Sequence, residues 1–548
     1  MAAVANLDVF SGDFNPNFFN YPSAFLYATY FVHTLASGWG WTQEVTRSNA
    51  MWALPHDIIW CARLVSATLG ALTASVVFLL AREVFGRNSH GAKWAIVAGL
   101  LCAFAPAHVQ HSHFATVDIA ATFWVAMTLW LSCRALNFCS RNIDNFDDDN
   151  SKNEDETTDE SSEETKLRLK ADAKRQRRVL LLAALCAGIG AATKYNAVIV
   201  LIAPLVATLY IEYSKLGKVK LLLGVFVVAV LGFLLGCPFS VLAPREFWGD
   251  GVNTGFAYEL LVHPRQGSGD LFTQTGNGWL YHATFNLPFA LTAPFAMAAF
   301  LGLLLSVEGI VKTRKIGLGG GRVLVPMVAF SLLYFFALGF SQVRFMRYTL
   351  LLLPTFAIFA ALFIRAFIEA LQTRNRFTKL ATGAILPAIC ATGTLNVLSP
   401  LTQTDPRDAA KNYLDAQNVS PPISVGLADA QNPLWFTTPP LWPQDTPPGT
   451  GRNLLNVQRN ARYELRPIGA DAAKLQAERP QNFVWSEFQW REGERLNDAN
   501  LRKLRAALNI EYSMREFHNA VPLELPGRDY APHDFLYTNP RVEVWTRK

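Results

Sequence analysis

Ten long apolar runs occupy most of the chain before residue 400. A helix of roughly 17–25 apolar residues crosses the hydrocarbon core of a bilayer, so runs of about this length predict membrane spans. Hydrophobic residues make up 51% of the 548-residue chain and charged residues 17%. This composition, with its apolar residues clustered, excludes an ordinary soluble enzyme. The predicted spans are residues 58–82, 94–110, 117–137, 178–193, 195–212, 219–240, 280–311, 323–340, 348–370 and 379–397.

The sequence therefore predicts a mainly α fold, a polytopic transmembrane helix bundle. The aromatic run at residues 21–41 begins with Asn20-Tyr21-Pro22 and contains His33, which suits a helix in the membrane interface. If the first crossing starts at Asp57, the linkers rich in Lys and Arg share one side, which the positive-inside rule makes cytoplasmic. Were residues 23–40 a span instead, the topology would invert. The linkers are residues 82–93, 134–178, 215–220, 312–322 and 374–379.

Three regions follow from this topology. Residues 1–57 are predicted to be an extracytoplasmic first loop with the interfacial helix, 58–398 the transmembrane domain, and 399–548 an extracytoplasmic soluble domain. Residues 139–177 carry an acidic run, then a basic cluster, and almost nothing to bury, which predicts a disordered cytoplasmic loop. This charge pattern is typical of a solvated loop, and no nucleic-acid partner is predicted.

The C-terminal region has the pattern of an α+β domain. Strand-like runs occur at Ile423–Leu427, Phe483–Ser486 and Val542–Trp545, and helical patterns at Arg407–Gln417 and Asn500–Leu508. All seven cysteines lie in or beside the predicted spans, so the outer domain must rely on its own hydrophobic core.

The segment Pro106–Asp118 joins two predicted spans and places a carboxylate at the mouth of the second. An ionisable group at a membrane boundary is costly and marks a functional site by default. The structural alternative is that Asp118 caps the following helix, where a negative charge suits the helix dipole. Further polar clusters on the same predicted face favour a functional role. They lie around Tyr21, Lys194, Trp279 and Arg344–Arg347.

Several ordered blocks resemble the lipid-phosphate-sugar-dependent glycosyltransferases of the GT-C fold. The resemblance is greatest to protein O-mannosyltransferase-like proteins and bacterial lipid-modifying transferases, and it extends from about Asp8 to Trp490. Each block alone is weak, but their order and spacing are fairly specific. The blocks are Gly12-Asp-Phe-Asn-Pro-Asn-Phe-Phe-Asn-Tyr-Pro22, Ala62-Arg-Leu64, Phe85-Gly-Arg87, His111-Ser-His-Phe-Ala-Thr-Val-Asp118, Ala192-Thr-Lys-Tyr-Asn196, Val343-Arg-Phe-Met-Arg-Tyr348, Asp405-Pro-Arg-Asp408 and Phe483-Val-Trp-Ser486.

The resemblance implies an enzyme that takes a sugar from a polyprenyl or dolichyl phosphate donor, in a cavity between the membrane and the outer loops. Such transfer needs a carboxylate to take the acceptor's proton and cations to neutralise the departing lipid phosphate. Asp118 matches the second acidic position of the family and is the predicted catalytic residue. Arg344 and Arg347 suit a phosphate because a guanidinium is planar and always charged, and Lys194 is a further phosphate candidate. Interfacial snorkelling or contact with lipid headgroups is the alternative for these cations.

Four more residues are predicted to line the substrate cavity, namely Tyr21, His111, His113 and Trp279. Two histidines at i and i+2 without a third ligand make a poor metal site, so no metal is predicted, and hydrogen bonding or helix capping is the alternative role. For Tyr21 and Trp279 the alternative is an interfacial anchor. No cofactor is predicted beyond the lipid-linked sugar donor. The predicted partners are membrane lipids, this donor and an acceptor that the sequence does not identify.

The N-terminus departs from the family pattern. Relatives are expected to carry a further span and a loop with the principal acidic residue before the Asn15-Pro-Asn-Phe-Phe19 block. This chain starts inside that loop, and Asp8 and Asp13 lie too close to Tyr21 to match. The sequence therefore predicts either a truncated enzyme or a non-catalytic relative. A transporter is the remaining alternative, although transporters tend to show internal repeats and broken midspan helices. The predicted membrane is the endoplasmic reticulum for a eukaryotic chain and the plasma membrane for a bacterial one.

Overall fold

A computed structural model gives the architecture of the protein. It describes residues 2–5, 7, 12–42, 55–150, 159–211, 213–252, 254–267, 269–316, 319–371, 375–417, 419–428, 439–441, 462–523 and 530–548. The chain divides into two units, which we call the helical unit and the C-terminal unit. The helical unit comprises the described parts of Met1–Glu44, His56–Gln266 and Thr275–Thr394, and the C-terminal unit those of Val45–Pro55, Gly267–Gln274 and Leu395–Lys548.

Helices account for nearly all regular structure before residue 400. The α-helices are α1 (Ala2–Ala5), α2 (Ala24–Gly38), α3 (Pro55–Phe85), α4 (Ser89–Ala103), α5 (Pro106–Ser112), α6 (Val117–Asn150), α7 (Asp159–Thr193), α8 (Ile202–Leu209), α9 (Lys215–Gly236), α10 (Phe239–Leu242), α11 (Pro244–Trp248), α12 (Gly255–Ala257), α13 (His263–Gln266), α14 (Gly278–Tyr281), α15 (Leu287–Leu291), α16 (Ala293–Ile316), α17 (Val325–Phe340), α18 (Leu353–Ala370) and α19 (Arg376–Leu401). Tighter 3₁₀ turns occupy Tyr195–Leu201, Gly269–Phe272, Gly319–Leu324 and Met346–Leu352, and π-helical turns occupy Tyr258–Val262 and His282–Asn286.

The protein is a multi-pass membrane protein. Among the described residues, seven helices are long and apolar enough to cross a membrane, or eight if α4 and α5, which meet at a 58° bend, form one broken span. Eight of the ten predicted runs overlap these helices, although the run at 280–311 does so only from Ala293 on. Of the other two, residues 178–193 form the C-terminal part of α7, and residues 195–212 give only the short apolar helix Tyr195–Leu209. These two runs are separated by Lys194, where the chain becomes extended and α7 ends.

Close helix contact in the helical unit depends on glycine. A Cβ atom at Gly302 of α16 would lie 1.8 Å from the carbonyl oxygen of Phe359 in α18. Similarly, a Cβ at Gly188 of α7 would lie 2.0 Å from the carbonyl oxygen of Ala229 in α9. These backbones therefore approach one another where any side chain would collide, as small residues permit in membrane helix packing.

Gly302→Ala is expected to lower the free energy of unfolding by about 1–3 kcal/mol, because the added methyl group forces α16 and α18 apart. Gly309→Ala on the same helix is the matched control, since its Cβ would meet no atom within 4 Å. Denaturant titration of the purified protein in mixed micelles measures both effects. Equal stability of the two variants would contradict the packing described here.

Two predictions about the regions beside the spans can be compared with the structure. Helix α6 continues to Asn150 and α7 begins at Asp159, so helix replaces the predicted disorder over 139–150 and 159–177; residues 151–158 lie outside the described residues. The physical reason is that extending an existing helix fixes one residue per added hydrogen bond. Over 159–177 the sequence is also rich in Glu, Lys, Arg and Leu, which are good helix formers. Helix α2 has 15 residues and a length of about 22 Å, short of a bilayer core of about 30 Å. Its interfacial location stays a prediction.

The C-terminal unit contains a five-stranded sheet of order β2-β1-β3-β5-β4. Its strands are β1 (Ile423–Leu427), β2 (Tyr463–Pro467), β3 (Asn482–Ser486), β4 (Tyr512–Phe517) and β5 (Val542–Arg547). Strand β1 pairs in parallel with β2 and β3, whereas β5 pairs antiparallel with β3 and β4. The helices of the unit are α20 (Pro406–Asp415), α21 (Ala472–Glu478), α22 (Glu487–Arg495) and α23 (Ala499–Glu511), and a 3₁₀ turn occupies His533–Thr538. The predicted α+β character is confirmed.

The two faces of this sheet carry separate cores. One core gathers Val425, Val484 and Val544, and the other Phe483, Trp485 and Trp545. The sequence predicted the three central strands, whose residues are almost all buried. It missed β2 and β4, which lie at the edges and expose polar residues. An edge strand has only one strand partner and less area to bury, so its hydrophobic signal is weak.

Candidate functional site

The helical unit encloses a cavity of about 780 Å³. One part of its wall is apolar and comes mainly from α9, from α17 and from the 3₁₀ turn Tyr195–Leu201 that follows α7. The other part is polar. It comes from the turn before α2, from the start of the 3₁₀ turn Tyr195–Leu201 and from the π-helical turn Tyr258–Val262. Apolar lining residues include Val198, Leu201, Phe226, Val230, Phe233 and Leu338, and polar ones include Asn20, Tyr21, Lys194, Asn196, Glu259 and His263.

Lys194 is the cation of this wall. It follows the last residue of α7 in an extended conformation, and the 3₁₀ turn Tyr195–Leu201 begins directly after it. The Lys194 Nζ donates to Asp118 Oδ1 at 2.5 Å and lies 4.4 Å from the centre of the Tyr348 ring. Both charged side chains are buried, with 8% and 4% of their surface exposed for Lys194 and Asp118. The ion pair and the aromatic face therefore fix the ammonium at the polar end of the cavity.

Asp118 supports the cavity wall from behind. It is 3% exposed and lies in the first turn of α6, and the described wall residues do not include it. Its carboxylate receives the Lys194 ammonium and lies within the electrostatic range of Arg347 and His111. The predicted catalytic role for Asp118 stays a prediction. The geometry favours positioning of Lys194.

Tyr21 and Arg347 form a second polar contact beside Lys194. The Arg347 guanidinium hydrogen-bonds to the Tyr21 hydroxyl, and its carbon lies 3.8 Å from the centre of the Phe345 ring. The surrounding protein desolvates the Tyr21 hydroxyl and raises the pKa of the phenol above its usual range, although the whole residue is 36% exposed, and Arg347 opposes this rise. Tyr21 is therefore protonated at neutral pH, and its hydroxyl hydrogen can be donated to an anion.

Arg344 lies in a different environment, although it is only three residues from Arg347. Its Nη1 donates to Thr275 Oγ1 and to the Gly276 carbonyl oxygen, both at 2.8 Å, and its Nε donates to the Ser341 carbonyl oxygen at 3.2 Å. Arg344 is 6% exposed and is not among the described residues of the cavity wall. These bonds join two loops. The guanidinium of Arg344 therefore donates to protein oxygens and not into the cavity.

The other predicted cavity residues lie outside the described wall. His111 is buried with its ring edge-on to Phe114, and the exposed His113 pairs its Nδ1 with the Val109 carbonyl oxygen at the end of α5. Trp279 donates its indole N–H to the Phe336 carbonyl oxygen at 3.1 Å, beside a separate apolar groove. Of the eight predicted site residues, the structure thus brings Tyr21 and Lys194 onto the wall, with Asp118 and Arg347 directly behind them.

The sequence analysis missed a carboxylate and an imidazole on the wall. Glu259 lies in the π-helical turn Tyr258–Val262, and His263 begins α13. His263 Nδ1 lies 3.0 Å from Glu259 Oε2. The available signal was the i, i+4 spacing of a carboxylate and an imidazole in the long 241–279 loop. Within the described parts of the chain, no group of three or more His, Cys, Asp or Glu side chains could hold a metal ion.

Comparison with known proteins gives a family match and a structural match. Residues 48–143 match the family described as dolichyl-phosphate-mannose-protein mannosyltransferase. The crystal structure of ArnT from Cupriavidus metallidurans bound to undecaprenyl phosphate matches with 14% sequence identity and a TM-score of 0.47, over 99% of this chain and 92% of that chain. None of the curated proteins matches. Over residues 48–143 the chain is therefore similar to the dolichyl-phosphate-mannose-protein mannosyltransferase family, which confirms the resemblance predicted from its motifs.

Proposed function

We propose that the protein is a membrane glycosyltransferase that takes a sugar from a polyprenyl phosphate carrier. The proposal rests on one observation, a cavity with an apolar wall and a fixed ammonium at its polar end. A lipid-linked sugar phosphate has the same division, because its isoprenoid chain is apolar and its phosphate is anionic. The family match over residues 48–143 supports this donor class and makes dolichyl-phosphate-mannose the first donor to test.

The cations of the site have separate roles in this proposal. Lys194 binds the phosphate as a point charge, and Asp118 holds its ammonium in place through the 2.5 Å contact. Tyr21 donates its hydroxyl hydrogen to a phosphate oxygen, and Arg347 behind it adds positive charge. As the sugar leaves, negative charge builds on the lipid phosphate, and these fixed groups stabilise it without rearranging. Arg344 positions the loop rather than contacting the phosphate.

Lys194→Met is expected to weaken the binding of dolichyl phosphate at least tenfold, because a charge-assisted hydrogen bond contributes about 1.5–3 kcal/mol. The measurement is lipid-phosphate binding to the full-length protein in nanodiscs, followed by release of dolichyl phosphate from dolichyl-phosphate-mannose with solubilised membranes as the acceptor source. Lys220→Met, at an exposed position of α9, is the matched control and should bind like the parent.

Because Lys194→Met leaves Asp118 without its cation, a second variant is needed. Arg347→Gln keeps the Asp118–Lys194 pair and is expected to weaken binding as well. If the parent protein does not bind dolichyl phosphate, or if both variants bind it as well as the parent, the proposed donor class is wrong.

A further inference from the structure

The cavity wall contains a carboxylate and an imidazole that the proposed roles leave unused. Of the described residues that line the cavity, Glu259 is the only one with a carboxylate side chain. Asp118 is the nearest alternative acid, but it lies behind the wall and is engaged by the Lys194 ammonium. Among the described residues of the wall, Glu259 and its partner His263 are therefore the candidates to accept a proton from a substrate.

A side chain from a distant part of the chain holds Glu259. The Asn20 amide donates from Nδ2 to Glu259 Oε1 at 3.2 Å, and the Asn20 Oδ1 accepts from the Gly255 backbone N–H at 3.3 Å. Gly255 has a φ of +83°, and a Cβ there would lie 2.5 Å from the Cα of Gly249, so only glycine allows this turn. The π-helical turn that follows is a form often found at functional sites. One side chain from the turn before α2 thus fixes both the start of the turn and its carboxylate.

The imidazole of His263 is fixed equally well. Its Nδ1 contacts Glu259 Oε2 at 3.0 Å, and its ring stacks on Tyr258 with an interplanar angle of 7°. The next backbone carbonyl, that of Pro264, accepts the Gln342 N–H at 2.7 Å. A carboxylate at Nδ1 selects the tautomer with its hydrogen on Nδ1 and leaves a lone pair on Nε2. It also stabilises the imidazolium that forms when Nε2 takes a proton.

We propose that His263 is the general base of the transfer reaction and that Glu259 is its positioning residue, an inference that rests on the proposed function. The acceptor is a hydroxyl compound. Its oxygen forms a bond to the anomeric carbon, and the bond from that carbon to the phosphate oxygen breaks. The polyprenyl phosphate leaves with the electron pair, and the hydroxyl proton passes to His263 Nε2. Lys194 and Tyr21 on the same wall receive the phosphate charge.

An ordinary helical ion pair is the competing explanation, since exposed i, i+4 pairs contribute about 0.3–0.5 kcal/mol. Here both side chains are partly buried, with 23% and 18% exposure for His263 and Glu259. The pH dependence of the rate separates the two explanations. We call Glu259 and His263 the dyad. The other titratable groups that line the cavity or stack on the dyad are Tyr21, Lys194, Tyr195, Tyr258, Tyr334 and Tyr348. Tyrosine and lysine ordinarily titrate near pH 10, so they do not account for a rate that falls on the acid side.

The test measures the rate of dolichyl phosphate release from dolichyl-phosphate-mannose as a function of pH, using the full-length protein in nanodiscs. For the parent we expect the rate to fall as the pH is lowered, because a protonated imidazole cannot take the hydroxyl proton. His263→Gln should bind dolichyl phosphate like the parent, react about 10²–10⁴ times more slowly, and lose this acid limb. Glu259→Gln should shift the limb to lower pH, because the carboxylate no longer favours the imidazolium.

Glu246→Gln is the matched control. Glu246 is an exposed carboxylate that accepts the Asn15 amide, as Glu259 accepts that of Asn20, and this variant should keep the parent's rate and pH profile. An active parent with an unchanged His263→Gln variant would overturn the role of the dyad and leave the proposed function standing. A His263→Gln variant that keeps the parent's acid limb would also overturn it, because another group would then be the base. A parent that releases no lipid phosphate would overturn the proposed function and this role together.

Discussion

Asp118→Asn is expected to lower the free energy of unfolding by about 3–5 kcal/mol, because it leaves the Lys194 ammonium buried without its carboxylate. Both side chains are less than one-tenth exposed, and their charged atoms are 2.5 Å apart. Removing one partner of such a pair costs more than removing both, since the remaining charge keeps its full desolvation penalty. The double variant Asp118→Asn/Lys194→Met should therefore be more stable than Asp118→Asn.

A double-mutant cycle with reversible denaturant titration in mixed micelles measures this coupling. The exposed pair Arg365–Glu369, with an N–O distance of 2.9 Å and side chains 36% and 57% exposed, is the matched control. Its disruption should change stability by no more than about 0.5 kcal/mol. The buried pairing would be contradicted if Asp118→Asn unfolded at the parent's denaturant concentration.

The sequence could predict the two members of this pair but not their contact. Charge at a membrane boundary is costly, and this cost draws attention to Asp118 and Lys194 in an apolar sequence. They are separated by 76 residues, and only the packing of α6 beside α7 brings them together. Arg344 and Arg347 show that residues close together in the sequence can also differ in a way that the sequence does not predict. They look alike in one short motif, yet the start of the 3₁₀ turn at Met346 directs them to different partners.

Glu259 and His263 could not be distinguished from other polar residues by the cost of placing a charge near the membrane. They lie in a long polar loop, where charged residues are common and carry little information. Their importance appears only when Asn20, from a segment 239 residues earlier, contacts the carboxylate. The spans and central strands are predictable for the converse reason, because burial requires long or continuous apolar runs. Edge strands that bury little, such as β2 and β4, leave no such pattern.

Glu543→Ala is expected to destabilise the C-terminal unit by about 3–5 kcal/mol, because this buried carboxylate is the common partner of an arginine and two tryptophans. Glu543 is 3% exposed. It accepts the indole N–H groups of Trp485 at 2.5 Å and Trp545 at 2.9 Å, and it lies 3.3 Å from Arg505 Nη1. The Arg505 guanidinium also lies over the rings of Trp485 and Trp490.

The substitution leaves two indole donors and a partly buried guanidinium without their common acceptor, and each such loss costs about 1–3 kcal/mol. Hydrogen exchange of the full-length protein should show faster exchange in β3 and β5, with exchange in α16 and α18 unchanged. Glu464→Gln on the edge strand β2 is the matched control, because its side chain is 48% exposed and pairs with Arg466, two residues along the same strand. Parent-like protection of β3 and β5 in Glu543→Ala would show that the indole rings and Arg505 find other partners. The carboxylate would then not be the group that holds the two central strands to α23.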